Sequence, residues 1–345
     1  MRKVSKMLLV LLLVLTTGVL FAAAQKEQVA ADATELTPGT YTWTAGGMGG
    51  GWYVQAGGMS SIITSQFPQI ALKVIPGGGT ENPLRLDAGE DDFGWGVGYV
   101  DKAAQIGLEA LFNREVKGFA GVAGPFSVDF YHFFAAKSTG ITTIDEFVAK
   151  VKAGERINLA GPMVGTSERA LTELLFQHYG ISYAAIEKNG GRVQYAAYGD
   201  MVNLYKDRHV DYVIACLGLP GAAITEMAIS RDSTLLAASD DLVKFSANTY
   251  GTVPFESGLN VIPGGTYKGI DKDIQAIGHS TEIIVRSSMP EVVVYSFVKA
   301  LIENIDAVKK LNPSFEIYFN KETAAGTMVP LHPGAAKYFK EIGVL

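Results

Sequence analysis

The chain has 345 residues, of which 48% are hydrophobic and 19% charged, with 39 glycines, one cysteine and a formal net charge of −6. This composition is too apolar for a disordered protein, and the length exceeds the roughly 100 to 200 residues of one typical domain, so we expect two domains. The acidic balance without a basic cluster argues against nucleic-acid binding, and the lone Cys216 excludes an internal disulfide and a CxxC-type zinc site.

Residues 1–24 have the three-part layout of a secretory signal peptide. Three basic residues precede an unbroken apolar run from Met7 to Leu15, and small alanines end the segment at Ala24. The alternative is an uncleaved membrane anchor, but the apolar run is short against the about 20 residues that span a bilayer. No cysteine follows the cleavage site, so we expect an unlipidated protein exported to the periplasm, with a flexible lead-in over residues 25–37.

From Thr40 onward the sequence repeats a strand, a glycine turn and a helix. The first half is predicted to contain strands at 41–45, 71–75 and 93–97, glycine turns at 46–51 and 76–79, and helices at 52–67 and 80–88. The second half is predicted to contain strands at 157–160 and 213–217, a turn at 161–165 and a helix at 166–179. This alternation predicts α/β domains with mainly parallel sheets, whose ligands collect beyond the carboxyl ends of the strands.

The two halves also match each other locally. The pattern Ala-Gly-x-Met-x-Gly begins at Ala45 and again at Ala160. We therefore predict two α/β lobes of related topology, joined by crossover strands near 130–137 and 279–286, with a ligand cleft between them. The first lobe is predicted to comprise residues 38–134 plus 279–345, including C-terminal helices that begin near Ser288, and the second lobe residues 135–278.

The sequence offers no clear enzyme motif, because its Ser-x-x-Lys match at 296–299 lies inside an apolar-periodic helix. It contains no GxxxxGK[ST], HExxH or GxSxG motif, and the glycine run at 46–51 does not satisfy GxGxxG. The five histidines are scattered without metal-ligand spacing. We therefore predict no catalytic residue, no metal and no cofactor.

The glycine turns are the best candidates for a binding site. A glycine-rich turn ahead of a helix exposes backbone N–H groups and a partial positive charge, which together hold an anion without basic side chains. Three such turns, at 47–51, 78–82 and 165–167, are predicted to converge on the cleft. The alternative is that these glycines merely permit tight turns between strands and helices.

The predicted ligand-binding residues lie in these turns and at neighbouring strand ends. They are Gly47, Met48, Gly49, Trp52, Tyr53, Gly79, Thr80, Glu81, Asn82, Tyr99, Gly165, Thr166, Ser167, Leu219 and Pro220. Their mixture of aromatic, hydroxyl and amide side chains suits a small ligand with polar and apolar parts, and Glu81 could receive a ligand ammonium group. The alternatives are that Trp52 belongs to the core and that Asn82-Pro83 only begins a helix.

Five segments in this order resemble the TAXI family, the solute-binding subunits of one class of TRAP transporters. They are GGMGGGWY at 46–53, GGTENPLRL at 78–86, GPMVGTSERA at 161–170, IPGGTYKG at 262–269 and HPGAAKYFKE at 332–341. The family usually carries a Gly-Ser-Gly-Thr type turn where this chain has Val164-Gly165-Thr166-Ser167, and a small hydroxylated residue is frequent at the position of Met48. Ligand identity is therefore not carried over from the family.

The resemblance implies a two-lobed, type II-like periplasmic binding protein. Such a receptor closes on a small organic anion or amino acid, such as glutamate or a dicarboxylate, and delivers it to a TRAP-type membrane permease. Transport there is driven by an ion gradient, so the receptor needs no nucleotide. We expect a monomer that binds an anionic or zwitterionic ligand. The alternatives are a sensory ligand-binding module of a membrane receptor and an exported group-transfer enzyme that uses the same cleft.

Overall fold

The structure is a computed structural model that describes residues 36–48 and 50–345. The predicted signal peptide, the lead-in up to residue 35 and Gly49 lie outside the described residues. The strands are β1 (Gly39–Thr44), β2 (Ile70–Ile75), β3 (Phe93–Val97), β4 (Phe119–Ala123), β5 (Val128–Ala136), β6 (Asn158–Gly161), β7 (Arg192–Tyr195), β8 (Tyr212–Leu217), β9 (Ser233–Leu235), β10 (Val261–Ile262), β11 (Ile274–Gln275) and β12 (Gly278–Arg286).

Helices alternate with these strands through most of the chain and follow one another at its end. They are α1 (Gly51–Gln66), α2 (Asn82–Asp87), α3 (Gly98–Ile106), α4 (Ile144–Lys152), α5 (Ser167–His178), α6 (Tyr183–Lys188), α7 (Tyr198–Lys206), α8 (Ala222–Ser230), α9 (Asp240–Tyr250), α10 (Glu291–Glu303), α11 (Ile305–Lys309), α12 (Pro313–Tyr318) and α13 (Pro333–Glu341). Short 3-10 helices cover Lys137–Thr139 and Phe255–Ser257.

The two ends of the large sheet have the same local order. Strand β1 lies between β2 and β3 and is parallel to both, and β6 lies in the same way between β7 and β8. We call the strands β1 to β4, with the helices packed on them, the first half, and β6 to β9 with theirs the second half. Because parallel strands present their carboxyl ends at one edge, the turns after β1 and β6 both lie at such an edge.

Two long antiparallel strands lie between the halves. Strand β12 pairs with β3 and β4 through residues 281–286 and with β5 through residues 278–280, and β5 in turn pairs with β8 and β9. The expectation of mainly parallel pairing is therefore wrong, because these central strands make the sheet mixed. Apolar run length alone does not distinguish a parallel strand from a buried antiparallel one. The lobe boundaries at 134/135 and 278/279 stay a prediction.

Local sequence explains where several helices begin. Helix α4 begins with a capping box, in which Thr143 accepts from the Glu146 N–H and the Glu146 carboxylate accepts from the Thr143 N–H. Helix α10 begins at Glu291, directly after Pro290, and carries no side-chain cap. Ser288, near which the sequence predicted the helix to begin, does not cap it, because the Ser288 hydroxyl accepts from Arg286 Nη1.

An aromatic core anchors the first half. Trp43 and Phe93, from neighbouring strands, both pack on Phe297 of α10, with ring centroids 5.4 Å and 4.3 Å away. These three side chains are completely buried, and each such ring removes a large apolar area from water. The apolar side chains of α10 are explained by this packing against the sheet. Within residues 36–48 and 50–345, no helix is long and apolar enough to cross a membrane.

Candidate ligand-binding site

A cavity of about 530 Å³ lies between the two halves. Its walls are residues of both halves, of the central strands and of the C-terminal segment: Gly46, Gly47, Met48, Gly50, Gly51, Trp52, Val54, Gln55, Gly77, Gly78, Gly79, Asp129, Met163, Thr166, Ser167, Glu168, Ala196, Ala197, Tyr198, Cys216, Leu217, Gly218, Leu219, Pro220, Gly221, Ala222, Ala223, His279, Leu311, Asn312 and Pro313. A molecule in this space would contact both halves at once.

Five helices begin at the cavity wall. The residues at the starts of α1, α5, α7, α8 and α12 (Gly50, Thr166, Ala197, Gly221 and Asn312) all line it, but α7 carries Asp200 in its first turn and α12 is capped by the Asn312 side chain. The first N–H groups of a helix have no intrahelical partner and carry a partial positive charge. Helices α1 and α8 have no side-chain cap and no acidic residue in their first turns, so these two helix starts are available to a ligand anion.

The start of helix α5 differs from those of α1 and α8. The Thr166 hydroxyl accepts a hydrogen bond from the Arg169 N–H at 3.3 Å, and Glu168 stands in the first turn of the helix. The negative charge of the Glu168 carboxylate offsets the partial positive charge at the start of α5. This part of the wall therefore presents negative charge to the cavity, although its backbone geometry resembles that of α1.

Asp129 of β5 is the most deeply buried acid in the cavity wall. Its side chain is 8% exposed, and the Ser127 hydroxyl donates to its Oδ1 at 2.9 Å. Burial, together with a smaller effect of the negative charge of Glu168, raises the pKa of Asp129 to about 6, although hydrogen bonds from Ser127 and Trp52 lower it. The raised pKa means that the carboxylate lacks a strong cationic partner.

Glu168 is the second acid of the cavity wall. The Tyr198 hydroxyl lies 2.8 Å from Glu168 Oε1 and 2.8 Å from the Cys216 carbonyl oxygen. Burial raises the pKa of Glu168, although hydrogen bonds to its carboxylate oppose the change. Within the described residues, the cavity lining contains two carboxyl groups and no lysine or arginine.

A neutral thiol and imidazole complete the polar floor of the cavity. His279 lies directly opposite Asp129 in the β5–β12 ladder, so the two side chains share one face of the sheet. His279 Nε2 is 3.0 Å from Cys216 Sγ. Burial lowers the pKa of His279 to about 4 and raises the pKa of the Cys216 thiol well above its usual range, so both groups are uncharged at neutral pH.

Eight of the predicted binding residues line the cavity. They are Gly47, Met48, Trp52, Gly79, Thr166, Ser167, Leu219 and Pro220. Trp52 is half-buried and stacks on Trp95 at a centroid distance of 5.7 Å, so it serves both the core and the cavity wall. Gly49 lies outside the described residues. The roles of these residues in binding stay a prediction.

The second predicted glycine turn uses its amides within the protein. The Gly78 N–H donates to Asn82 Oδ1 at 2.9 Å, the Glu81 N–H to the Gly78 carbonyl at 3.0 Å, and the Thr80 N–H to the Gly165 carbonyl at 3.4 Å. The Asn82 carboxamide is completely buried. The amides of Gly78, Thr80 and Glu81 are therefore occupied by bonds that hold the turn itself and join it to the second half.

The other predicted residues lie outside the cavity lining. Tyr53 donates to the Val74 carbonyl at 3.4 Å, and Glu81 forms a partly exposed ion pair with Arg85 at 3.5 Å. Gly165 adopts a φ of +88°, which favours glycine, and its carbonyl receives the Thr80 N–H. Tyr99 is buried and joins the two halves through a hydrogen bond to Ser167.

Sequence reasoning missed Asp129, Glu168, Tyr198, Cys216 and His279 as candidate site residues. One signal was available, because Asp129 is the single acid in the run from Val128 to Phe134, whose other residues are apolar or aromatic. A charge in a buried strand points to a functional position. Within the described residues, no group of three or more His, Cys, Asp or Glu side chains is placed to hold a metal ion.

Comparison with known proteins identifies a matching family and solved structures of similar fold. Residues 43–343 match the NMT1-like family. MatC from Rhodopseudomonas palustris, solved with bound malate, is 17% identical with a TM-score of 0.52, and the alignment covers 88% of this chain and 97% of MatC. PhnD1 from Prochlorococcus marinus, solved in complex with methylphosphonate, is 8% identical with a TM-score of 0.51, over 90% of this chain and 100% of PhnD1. At these identities the likeness shows the fold, an α/β fold of two lobes.

Proposed function

The chain belongs to the NMT1-like family, and we propose that it is an extracytoplasmic solute receptor of the TAXI type. In this proposal the chain is exported to the periplasm by a cleaved signal peptide at residues 1–24 and acts as a monomer. It captures a small organic anion or amino acid, of glutamate or dicarboxylate type, by closure of two lobes. It then delivers this ligand to a TRAP-type membrane permease.

One observation carries the proposal: the cavity of about 530 Å³ is walled by both halves of the molecule. A ligand that contacts both lobes favours the arrangement in which they are close together, because only that arrangement makes both sets of contacts. The uncapped starts of α1 and α8 support an anionic group in the ligand. MatC and PhnD1, which share the fold, were solved with malate and methylphosphonate respectively.

A thermal-shift screen tests the receptor function. The mature chain is dialysed extensively and heated with amino acids, dicarboxylates and phosphonates in separate wells. A ligand that binds only the folded state stabilises it by about 2.7 kcal/mol at a hundred-fold excess over Kd. Stabilisation by at least one compound is expected, and no stabilisation across the screen, with no ligand recovered from natively purified protein, would contradict the proposal.

The Cys216–His279 pair is the observation that favours the alternative of an exported enzyme. The distance of 3.0 Å between Sγ and Nε2 suits a nucleophile and its base. The raised pKa of the thiol opposes this function, because the thiolate is the reactive form. Turnover of a bound ligand that is lost in Cys216→Ala would support the enzyme, whereas unchanged ligand recovered after long incubation supports the receptor.

The sensory alternative differs from the transport proposal in its partner. A TRAP-type receptor associates with permease subunits, whereas a sensory module associates with a membrane receptor. Ligand-dependent uptake by proteoliposomes that contain the permease and this chain supports the transport partner. Uptake that is equal with and without this chain would contradict it.

A further inference from the structure

The charges of the cavity point to a narrower class of ligand. A site for a dicarboxylate places cations or many N–H donors around both ends of its ligand. Here the lining holds Asp129 and Glu168 and, within the described residues, no basic side chain. A second carboxylate beside these acids would be repelled.

No other group facing Asp129 neutralises it. His279, opposite it in the ladder, has its pKa lowered to about 4 by burial and is uncharged at neutral pH. Burial raises the pKa of Cys216 and of Tyr198, so that neither carries a charge. The remaining neighbour is Glu168, which is itself acidic. Asp129 is therefore only 8% exposed, and the cavity lining that the structure describes contains no cation to pair with it.

The acids and the positive helix starts adjoin one another in the cavity wall. Trp52, in the first turn of α1, hydrogen-bonds the Asp129 carboxylate, and Asp129 Oδ1 lies beside Gly218, just before the start of α8 at Gly221. The ammonium and carboxylate groups of an α-amino acid are likewise neighbours, since both are attached to one carbon. The positive helix starts belong to α1 and α8, which have no acid in the first turn, whereas the start of α5 carries Glu168. Elsewhere the lining includes the apolar side chains of Met48, Leu219 and Leu311. This arrangement complements a molecule with one anionic group, one cationic group and an uncharged body.

We propose that the ligand is a zwitterion, an amino acid with an uncharged side chain, whose ammonium group binds Asp129 and Glu168 and whose carboxylate binds the starts of α1 and α8. This inference rests on the proposed receptor function, but it replaces a ligand of glutamate or dicarboxylate type with an amino acid whose side chain is uncharged. It excludes dicarboxylates and makes glutamate a weaker ligand than leucine or glutamine. The cavity volume also accommodates a short peptide, which has the same two charged ends.

Calorimetric titration with matched compounds tests whether the ligand must carry both an ammonium group and a carboxylate. Leucine is compared with N-acetyl-leucine, which lacks the ammonium group, with leucinamide, which lacks the carboxylate, and with leucyl-leucine. Glutamine, glutamate, malate and methylphosphonate complete the set. The amino acid or the dipeptide is expected to bind, and both blocked leucine derivatives are expected to bind at least about tenfold more weakly. If the dipeptide binds most tightly, the zwitterionic ligand is a short peptide and not a single amino acid.

Two isosteric variants test whether the charge of Asp129 binds the ligand ammonium group. Asp129→Asn keeps the side-chain shape and its bond with Ser127 but removes the charge, and is expected to weaken zwitterion binding by about tenfold or more. Glu226→Gln, on the surface in an ion pair with Lys206, is the control and should bind as the wild type does. Equal binding by wild type and Asp129→Asn would overturn the assignment.

A result that contradicts a zwitterionic ligand can be distinguished from one that contradicts the receptor function. If malate or methylphosphonate binds more tightly than every amino acid and dipeptide, and more tightly still to Asp129→Asn, the ligand is an anion and the receptor function stands. If none of these compounds binds and natively purified protein releases no small molecule on denaturation, the receptor function itself fails.

Discussion

The hydroxyl of Tyr99 donates a 3.0 Å hydrogen bond to the carbonyl oxygen of Ser167. Tyr99 belongs to α3 of the first half, and Ser167 begins α5 of the second. Tyr131 of the central strand β5 donates to the same carbonyl at 3.1 Å. The bond from Tyr99 exists only while the halves are in contact, so it favours the arrangement that encloses the cavity.

Removal of this hydroxyl should weaken ligand binding. Tyr99→Phe loses a buried hydrogen bond of about 0.5–1.5 kcal/mol, which corresponds to a roughly two- to tenfold higher Kd if the bond forms only on closure. Tyr53→Phe is the control, because the Tyr53 hydroxyl bonds the Val74 carbonyl within the first half. Calorimetry on both variants measures the effect, and an equal Kd for Tyr99→Phe and wild type would contradict a bond that favours closure.

A methyl group at Gly79 should hold the halves apart. A Cβ there would lie 2.8 Å from Ser167 Cβ of the second half, closer than van der Waals contact allows, and 3.0 Å from Val97 Cγ2 within the first half. Gly79→Ala is therefore expected to weaken ligand binding about tenfold or more, and to lower the unfolding free energy by about 1–3 kcal/mol through the contact with Val97. Small-angle scattering with saturating ligand should show a larger radius of gyration than the wild type has.

The matched control for Gly79→Ala is Gly57→Ala. Gly57 lies inside α1, where an added Cβ has no neighbour within 4 Å. Alanine there should stabilise the protein by about 0.5–1 kcal/mol and leave binding unchanged. A wild-type Kd and a wild-type radius of gyration in Gly79→Ala would show that the close approach does not limit closure.

Asn82 should contribute to folding stability rather than to ligand contact. Its Nδ2 donates to the Ala45 and Trp95 carbonyls, both at 2.8 Å, and its Oδ1 accepts from Gly78 N and Thr44 Oγ1. Asn82→Ala leaves several buried groups unsatisfied, so a loss of about 2–4 kcal/mol in unfolding free energy is expected. Urea unfolding measures it, with exposed Asn203→Ala as the control, and a loss below about 0.5 kcal/mol would contradict the assignment.

A buried acid pair should make stability fall as the pH rises. Burial raises the pKa of Glu282 to about 7, against hydrogen bonds from Met328 and Asp101, and burial together with the charge of Glu282 raises the pKa of Asp101. The stability contributed by protonated Glu282 is complete below its unfolded pKa of about 4.5 and is lost as the pH rises through about 7. Glu282→Gln should therefore unfold at a higher temperature than wild type at pH 8.5 and at a similar one at pH 4.5. An equal difference at both pH values would contradict this linkage.

Affinity for a zwitterion should rise with pH around the pKa of Asp129. This pKa is raised to about 6, so below pH 6 the carboxyl is increasingly protonated and cannot pair with an ammonium group. We expect affinity to fall by up to about tenfold for each pH unit below 6 and to be steady above pH 7. Asp129→Asn should remove most of this dependence. Affinity that increases as the pH falls would indicate an anion at this position instead.

The sequence predicted the cavity wall best where a local pattern determines the turn. The glycine run after the strand that ends near Ala45, and the Gly-Thr-Ser turn at 165–167, sit where a strand gives way to a helix, and both reach the cavity. Their position follows from the α/β alternation and needs no knowledge of distant contacts.

Long-range pairing determines the parts that sequence reasoning missed. Asp129 reaches the cavity because β5 pairs with β12, which places His279 opposite it from 150 residues further along the chain. The turn at 78–82 has the glycines of an anion site, yet most of its amides are occupied because Asn82 folds beneath it and Gly165 approaches from the second half. Neither relationship follows from local periodicity.

The most direct measurement is the identity and number of small molecules that the mature protein carries through native purification. Mass spectrometry of the intact complex gives the stoichiometry, and analysis of the denatured supernatant gives the molecule. We predict one molecule per chain, with an ammonium group and one carboxylate, and a lower occupancy in Asp129→Asn. One dicarboxylate or phosphonate per chain, at equal or higher occupancy in Asp129→Asn, would contradict the account.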